Sequence, residues 1–399
     1  MFFSFNLEKT YQYLLIALAF LMPLTVSGAN TMVVIICLIW LVSGNYKAKF
    51  SHILGSKLMI ASISFYLLNL IGMLWTENIE WGLHMLHKMW YFILFFPILF
   101  NIVKSKNFQN YITAFLLAIS FTEIVSYLIW FEIIPPFKYA SVENPTPFMS
   151  HISYNPILTI AIYIVLHQIF FNKKLTSLRF SFYSFFSISM IINMFITGGR
   201  AGQVMFFIML MLLIFQFFEG RKIKSLFFIA LIIPTIFIAS YQVSDLFQKR
   251  VDQAVENITD YSHYPNTSVG LRITFIKNSW EVIRDNPIIG VGTGDFTIEY
   301  KKINELNSPN SPPTTNPHNM YILVLMQLGL LGLLSFLSIF YMQIKNAFYS
   351  SKKFNRDFGL TLPILYLVIM FSDTYLLGHY TTLVYIFFSA FLYQNSENN

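Results

Sequence analysis

The sequence is poor in charge: Asp, Glu, Lys and Arg make up 11% of its 399 residues, where a soluble domain carries roughly a quarter. That scarcity excludes an ordinary soluble globular protein. With 56% hydrophobic residues, the chain is not disordered or fibrous either. Cysteine is almost absent. The single Cys37 lies inside an apolar run, so no internal disulfide and no cysteine metal cluster can form. No internal repeat is evident, unlike the two related halves of many secondary transporters. There is also no serine or cysteine nucleophile constellation. The net charge of +7 is spread in small basic groups between apolar runs, as topology signals are, so nucleic-acid binding is not expected.

What is abundant is apolar and aromatic surface. Phe occurs 43 times and Tyr 23 times, and the mean hydropathy is +0.59. These values point to helices whose outer faces meet lipid, because only closed hydrogen-bonding structures survive in a bilayer. Runs long enough to cross the hydrocarbon core, about 20 residues each, begin near positions 11, 30, 58, 86, 111, 153, 181, 203, 226, 319, 360 and 376. The expected fold is therefore all-α and polytopic, with about 12 transmembrane helices and one large outer loop. Nine helices fall in 1–243, the loop in 244–318 and three helices in 319–399.

Basic residues set the orientation. With the N-terminus inside, the inner connections hold Lys47, Lys49, Lys57, Lys104, Lys106, Lys173, Lys174, Arg179, Arg221, Lys222, Lys224, Lys345, Lys352, Lys353 and Arg356. The short outer connections hold only Lys88, Lys138 and Arg200. Both termini are thus expected in the cytoplasm. Ser27-Gly28-Ala29 offers small residues for signal cleavage, but Glu8 offsets Lys9 in the leader, so a retained first helix is expected.

Within the loop, Ile273, Ile276, Trp280 and Ile283 recur at helical spacing opposite Thr274, Lys277, Glu281 and Arg284, which predicts an interfacial helix ended by Asn286-Pro287. Phe247, Val251, Ala254 and Ile258 predict a second, and the Pro- and Asn-rich 306–317 segment is expected to be mobile. The glycines of Pro287-Ile-Ile-Gly290-Val-Gly292-Thr-Gly294-Asp-Phe296 lack the strand, helix and lysine of a nucleotide loop. A hinge or chain reversal on the membrane face is the better reading.

Polar residues at the outer ends of spans are expensive there unless paired or used. Arg200 stands in a short turn, Thr197-Gly198-Gly199-Arg200-Ala201-Gly202-Gln203, on a face with little positive charge. It suits a phosphate, although an arginine snorkelling to headgroups has the same position. Arg272 opens the first amphipathic helix beside its apolar stripe, where lipid anchoring and anion binding both fit. In Asn316-Pro317-His318-Asn319, Asn316 is a candidate N-cap and His318 would occupy the first helical turn. The dipole would favour a neutral imidazole able to take a proton, and free N–H groups could hold a leaving anion. A structural interface histidine is the alternative. Glu123 is an intramembrane acid that could pair with an arginine, and His84 and His87 sit with Trp75, Trp81 and Trp90 in an aromatic belt rather than a metal site. His151, Asp295 and Asp373 lie on the outer side without a diagnostic spacing.

Taken in order, TGGRAGQ around Arg200, SVGLRITFIKNSW around Arg272, DNPIIGVGTGDF, and His318-Asn319 followed after nine residues by Gly329-Leu-Leu-Gly332 resemble the O-antigen ligase and O-antigen polymerase superfamily. The last signature resembles the ligases in particular, although Leu333 and Leu334 stand where ligases often have two threonines. The resemblance implies transfer of a glycan from undecaprenyl-pyrophosphate to a sugar hydroxyl of lipid A-core at the periplasmic face of the bacterial inner membrane. His318 would be the base, and Arg200 and Arg272 would hold the pyrophosphate, with Asn319 and Gly199 among the substrate-binding residues. It also implies inversion without metal or cofactor, and partners limited to the lipid-linked donor, the lipid A-core acceptor and membrane lipids. A polymerase or a protein-directed oligosaccharyltransferase would use similar residues. A transporter would instead line a mid-membrane path.

Overall fold

The computed structural model describes residues 6–261, 263 and 265–394. Among them there is no strand, only an isolated bridge between Ser141 and Asn144. The expected all-α class is therefore what the chain adopts. The helices begin with α1 (Leu7–Leu21), α2 (Val26–Val42), α3 (Tyr46–Gly55) and α4 (Lys57–Gly72). They continue with α5 (Ile79–Trp90), a π turn, α6 (Phe96–Ile102), α7 (Phe108–Trp130), α8 (His151–Phe171) and α9 (Ser177–Ile196). Next come α10 (Arg200–Phe217), α11 (Lys222–Val243), α12 (Asp245–Thr259), α13 (Ser268–Asp285) and α14 (Phe296–Asn307). The chain ends with α15 (Met320–Phe348), α16 (Lys353–Ile369) and α17 (His379–Leu392).

Each of the twelve apolar runs is helical, and among the described residues eight helices are long and apolar enough to span. A ninth span results if α2 and α3, bent by 118°, count together. The remaining runs are shorter: α1 has 15 residues, α16 has 17 and α17 has 14. At about 1.5 Å per residue these fall short of a hydrocarbon core of about 30 Å. The spans differ in what surrounds them. In α11 only Ser225 is buried, so its apolar side chains face lipid. In α17 every residue from Thr381 to Leu392 is buried, so this short helix is core.

Two compact units form. The first comprises 1–41, 104–251 and 351–365, and the second 42–103, 252–350 and 366–399. In the first, α8 packs on α10 at very short range. A Cβ on Gly202 would stand 2.2 Å from Asn155 Cβ, and one on Gly199 would stand 2.6 Å from the His151 carbonyl. Small residues permit that approach where no side chain fits. Polar side chains then cross-link the apolar helices: Tyr154 donates to Asn193, Asn193 to Ser126, and Thr197 to Asn155. At the other end of this unit His167 Nε2 lies 3.1 Å from Asp357, which Lys353 and Arg356 also approach.

The second unit is organised by a broken helix. α15 is interrupted at Gly329, whose φ of 60° and ψ of −155° are open to glycine alone. The 287–294 segment fills the break as a chain reversal. Val291 and Gly292 N–H donate to the carbonyls of Met326 and Gln327, and Leu330 and Leu331 N–H donate to Pro287 and Ile288. The Gln327 side-chain amide donates to the Thr293 carbonyl, and the Thr293 hydroxyl donates to Asn69 of α4 at 2.7 Å. The glycine-rich run thus replaces the hydrogen bonds that the interrupted helix forfeits, a requirement at membrane depth.

The 244–318 loop holds one helix more than its sequence pattern foretold. α12 and α13 fall where amphipathic spacing predicts them. α14 was missed because its apolar face is short: it buries only Phe296, Tyr300 and Asn304. The 306–317 segment, expected to be mobile, is instead tied down. Asn304 donates to the Ser311 carbonyl at 2.9 Å, Asn266 to that of Asn310 at 3.1 Å, and Asn278 to Ser308 Oγ at 3.3 Å.

A Cβ at position 329 would lie 2.3 Å from the Ile288 carbonyl carbon. We therefore expect Gly329→Ala to cost at least about 1–3 kcal/mol, read as earlier thermal unfolding in detergent; an unchanged transition would show that the break is not fixed by this residue.

Candidate functional site

The second unit builds its most reactive geometry where α15 starts. The helix begins at Met320, and its N-cap is Asn319 rather than the expected Asn316. Asn319 Oδ1 accepts from the Tyr321 and Ile322 amides at 3.0 and 3.1 Å, while its Nδ2 donates to the Phe371 carbonyl at 3.2 Å. The Met320 amide donates to the Met370 carbonyl at 2.9 Å. Every N–H of the first turn is thereby occupied, so the expectation that free N–H groups hold a leaving anion does not stand. Asn319 uses both ends of its amide to fasten α15 to the 370–371 turn.

His318 stands before the helix and not in its first turn. Its φ is +49°, a left-handed backbone that a non-glycine residue adopts only when held there. The holding contacts are visible: Asn316 Oδ1 accepts from the His318 amide at 2.9 Å, and Asn316 Nδ2 donates to Thr374 at 2.9 Å. In this pose the imidazole lies over the Phe275 ring, with centroids 6.2 Å apart, and its Nδ1 sits 3.1 Å from Asp373 Oδ1. The His318 side chain keeps 36% of its surface exposed against 14% for Asp373. The carboxylate is thus sheltered while the ring remains reachable.

Burial pushes the Asp373 carboxyl up, but the hydrogen bond and charge of His318, the Thr374 amide and Arg272 together hold it below the usual carboxylate range. Asp373 therefore stays an acceptor at neutral pH. In the neutral imidazole Nδ1 must then carry the proton, which leaves the Nε2 lone pair outward as a proton acceptor. The partner carboxylate sets the tautomer, on which the sequence is silent, and His318 lies outside the first helical turn where the dipole was expected to act on it.

Arg272 lies in the same unit, on α13. Its Nε donates to the Ser372 carbonyl at 3.2 Å, and its Nη1 donates to the carbonyl and hydroxyl of Ser268, both at 2.9 Å. The guanidinium is thus held at the Ser372 carbonyl, next to Asp373, and its Nη2 has no hydrogen bond among the described residues. α13 itself turns Thr274, Asn278 and Ser279 inward and leaves Ile276 and Trp280 exposed, as a helix at a lipid interface does.

Arg200 and Gly199 belong to the first unit. Arg200 opens α10 and is half-buried, and Gly199 is its N-cap, with a carbonyl that accepts from Asn155 Nδ2 at 3.3 Å. Gly199 serves close packing. Arg200 and Arg250 both act electrostatically on His151, which itself contacts Asn144 Nδ2 at 2.7 Å.

A family profile described as O-antigen ligase matches residues 185–337. The matched stretch is similar to an O-antigen ligase domain. The match supports the O-antigen ligase superfamily, and it runs from within α9 into α15, so it contains Arg200, Arg272, His318 and the Gly329-Gly332 pair. No curated protein matches the chain significantly. Together with the apolar spans, the match supports a membrane protein related to the O-antigen ligase superfamily.

Asp373 lies outside the matched stretch, 55 residues after its histidine. Sequence reasoning noted it only as an outer-side acid. Its one local signal is a lone carboxylate in the short polar break between two apolar runs. Asp295, also left without a role, is structural: its carboxylate accepts from the Glu77 amide at 2.9 Å and the Asn78 amide at 2.8 Å, at the start of α5. Among the described residues Glu123 pairs with no arginine; it accepts from the Ser189 hydroxyl at 2.5 Å.

The pair makes a spectroscopic prediction. Nitrogen NMR of the neutral His318 ring should show a protonated Nδ1 and a bare Nε2, and the reverse tautomer would contradict the geometry. Because the Asp373 carboxyl is depressed, its stabilising contribution is present above the ordinary carboxylate pKa of about 3.9 and disappears as pH falls through its lowered value. Asp373→Asn should mix the tautomers at neutral pH.

Proposed function

We propose that this protein is an O-antigen ligase that moves a glycan from undecaprenyl-pyrophosphate to a sugar hydroxyl of lipid A-core, at the periplasmic face of the inner membrane. The observation that carries the reading is the His318–Asp373 pair at 3.1 Å with the Arg272 guanidinium fixed beside it. Nε2 of His318 takes the proton of the acceptor hydroxyl while that oxygen attacks the anomeric carbon. The bond from that carbon to the pyrophosphate oxygen breaks, and its electron pair leaves with the phosphate. Direct displacement inverts the anomeric centre. Guanidinium groups supply the charge compensation that a divalent ion gives in other transferases, so the reaction is proposed to need no metal. Arg272 has Nη2 for this, and Arg200 is proposed as a second phosphate ligand from its place at the outer start of α10. The proposed topology is twelve spans with both termini cytoplasmic.

The substitution of Leu333 and Leu334 for the threonines that often follow the ligase signature favours a second reading, a polymerase joining lipid-linked repeats. An electrophoretic profile of lipopolysaccharide, with the lipid-linked pool, separates the two in cells lacking the gene. Long glycan held on the carrier above a bare core supports ligation; a core bearing one repeat unit supports polymerisation; a normal profile removes both.

Complementation then tests the roles. His318→Ala, inserted at wild-type level, should lower transfer by about 10²–10⁴-fold, and undiminished turnover would remove the base assignment. Arg272→Lys should also impair transfer, since a point charge cannot reproduce a guanidinium fork.

A further inference from the structure

Among the described residues, the His318 imidazole is held by Asp373 through a hydrogen bond and by Phe275 through its ring. The single bond at 3.1 Å fixes where Nδ1 sits, yet the ring can still turn about the line from Nδ1 to the carboxylate oxygen. Such a turn keeps the tautomer and misdirects Nε2. What fixes the plane is Phe275, whose face is inclined at 23° to the imidazole with centroids 6.2 Å apart, inside the usual range for an offset aromatic pair.

A ring can orient another only if it is itself immobile. Phe275 is buried on α13, and Tyr300 of α14 meets it edge to face, with centroids 5.8 Å apart and planes at 85°. Phe296 stacks on Tyr300 in turn, at 5.6 Å and 15°. Behind the rings, the Tyr300 hydroxyl donates to Asn304 Oδ1 at 3.0 Å, and the same oxygen accepts from Asn278 Nδ2 at 3.2 Å. Asn278 lies three residues after Phe275, close to one helical turn, so this bond joins α13 to α14 beside the aromatic contact. Tyr300, Asn278 and Asn304 are all buried, where a polar group is costly unless it is bonded. The far end of the stack is also fixed, since Phe296 follows Asp295, whose carboxylate holds the start of α5. Among the described residues α14 gives no hydrogen bond to His318, Asp373 or Arg272, but through Tyr300 and Phe275 it reaches the imidazole.

Resting on His318 as the proton-accepting base, we propose that Phe275 is a positioning residue for it: its ring sets the imidazole plane, and the cluster of Tyr300, Asn278 and Asn304 keeps Phe275 in place. Asp373 decides which nitrogen carries the proton, and Phe275 decides where the other nitrogen points. Arg272 stands three residues earlier on the same helix, so α13 places the base and the guanidinium together.

Phe275→Leu tests the proposal, because leucine keeps the site apolar and offers no flat face. In nitrogen NMR of the full-length chain in detergent, the neutral His318 ring is expected to lose its single Nδ1-protonated form and average between tautomers. Phe65→Leu is the control for lost packing: Phe65 is a buried ring of α4 against Phe92 and Phe336, and its loss should lower the unfolding temperature without changing the His318 signals. In transfer assays Phe275→Leu should lower kcat by about tenfold and leave the acceptor KM within about twofold, as misplacement of a reacting group does. Placed in the His318→Ala background it should cause no further loss, because there is no ring left to orient. Should the leucine chain fail to insert, Phe275→Met removes the ring with less change in side-chain length and gives the same reading. An unaltered tautomer and rate in the ringless chain, an equal loss in both backgrounds, or mixed tautomers in Phe65→Leu would overturn the assignment. If the wild-type chain transfers no glycan, the base reading falls, while the tautomer comparison still decides whether Phe275 holds the imidazole.

Discussion

The interlock between the 287–294 reversal and the break in α15 is the constraint on which the second unit depends. A membrane helix interrupted at Gly329 exposes carbonyl and amide groups that lipid cannot satisfy. Four backbone hydrogen bonds from one irregular segment to another close that deficit. Because the partner segment belongs to the 244–318 loop, satisfying the broken helix also clamps the loop to α15. Thr293 then ties the reversal to α4, and Asp295 ties it to the start of α5. Arg272 and His318 are presented by elements on either side of this clamp, so their positions follow from backbone chemistry and not from side-chain packing alone.

How much of this could be read from the chain varies with the range of the interaction. Composition and hydropathy were sufficient for an all-helical membrane fold, because lipid acts on every residue of a span at once. Amphipathic spacing located α12 and α13 for the same local reason. The start of α15 was misread by three residues, since Asn316 and Asn319 are both competent caps and the choice between them depends on Phe371 and Met370, half a hundred residues downstream. The glycine-rich run was correctly denied a nucleotide-binding role, yet its partnership with Gly329 was invisible, as neither segment is unusual alone. Asp373 was noted and left without a role because nothing near it in sequence says what it faces.

The first unit shows a different economy of polar groups. Its helices are apolar nearly all round, and a few amides and hydroxyls, among them Asn155, Asn193, Thr197 and Gln203, bond across them. Within hydrocarbon such bonds have no competing water and fix helix register. Their convergence on the TGGR turn accounts for Gly199 and Arg200: Gly199 admits α8, as Gly202 does one turn on, and Arg200 opens the helix that Gly199 caps. Arg200 as a candidate ligand was legible from charge scarcity.

The distance along the chain between His318 and Asp373 bears on biogenesis. As the polypeptide emerges, His318 and all of α15 are made well before the carboxylate that orients the imidazole. The turn that carries Asp373 is in turn flanked by α16 and by α17, a helix too short to be an efficient membrane anchor by itself and fully enclosed once folded. Its stable insertion therefore depends on neighbours already being present, and the imidazole acquires its partner only after α15 and α16 have been made. A chain truncated before Asp373 would keep α15 yet leave the His318 imidazole without the carboxylate that orients it.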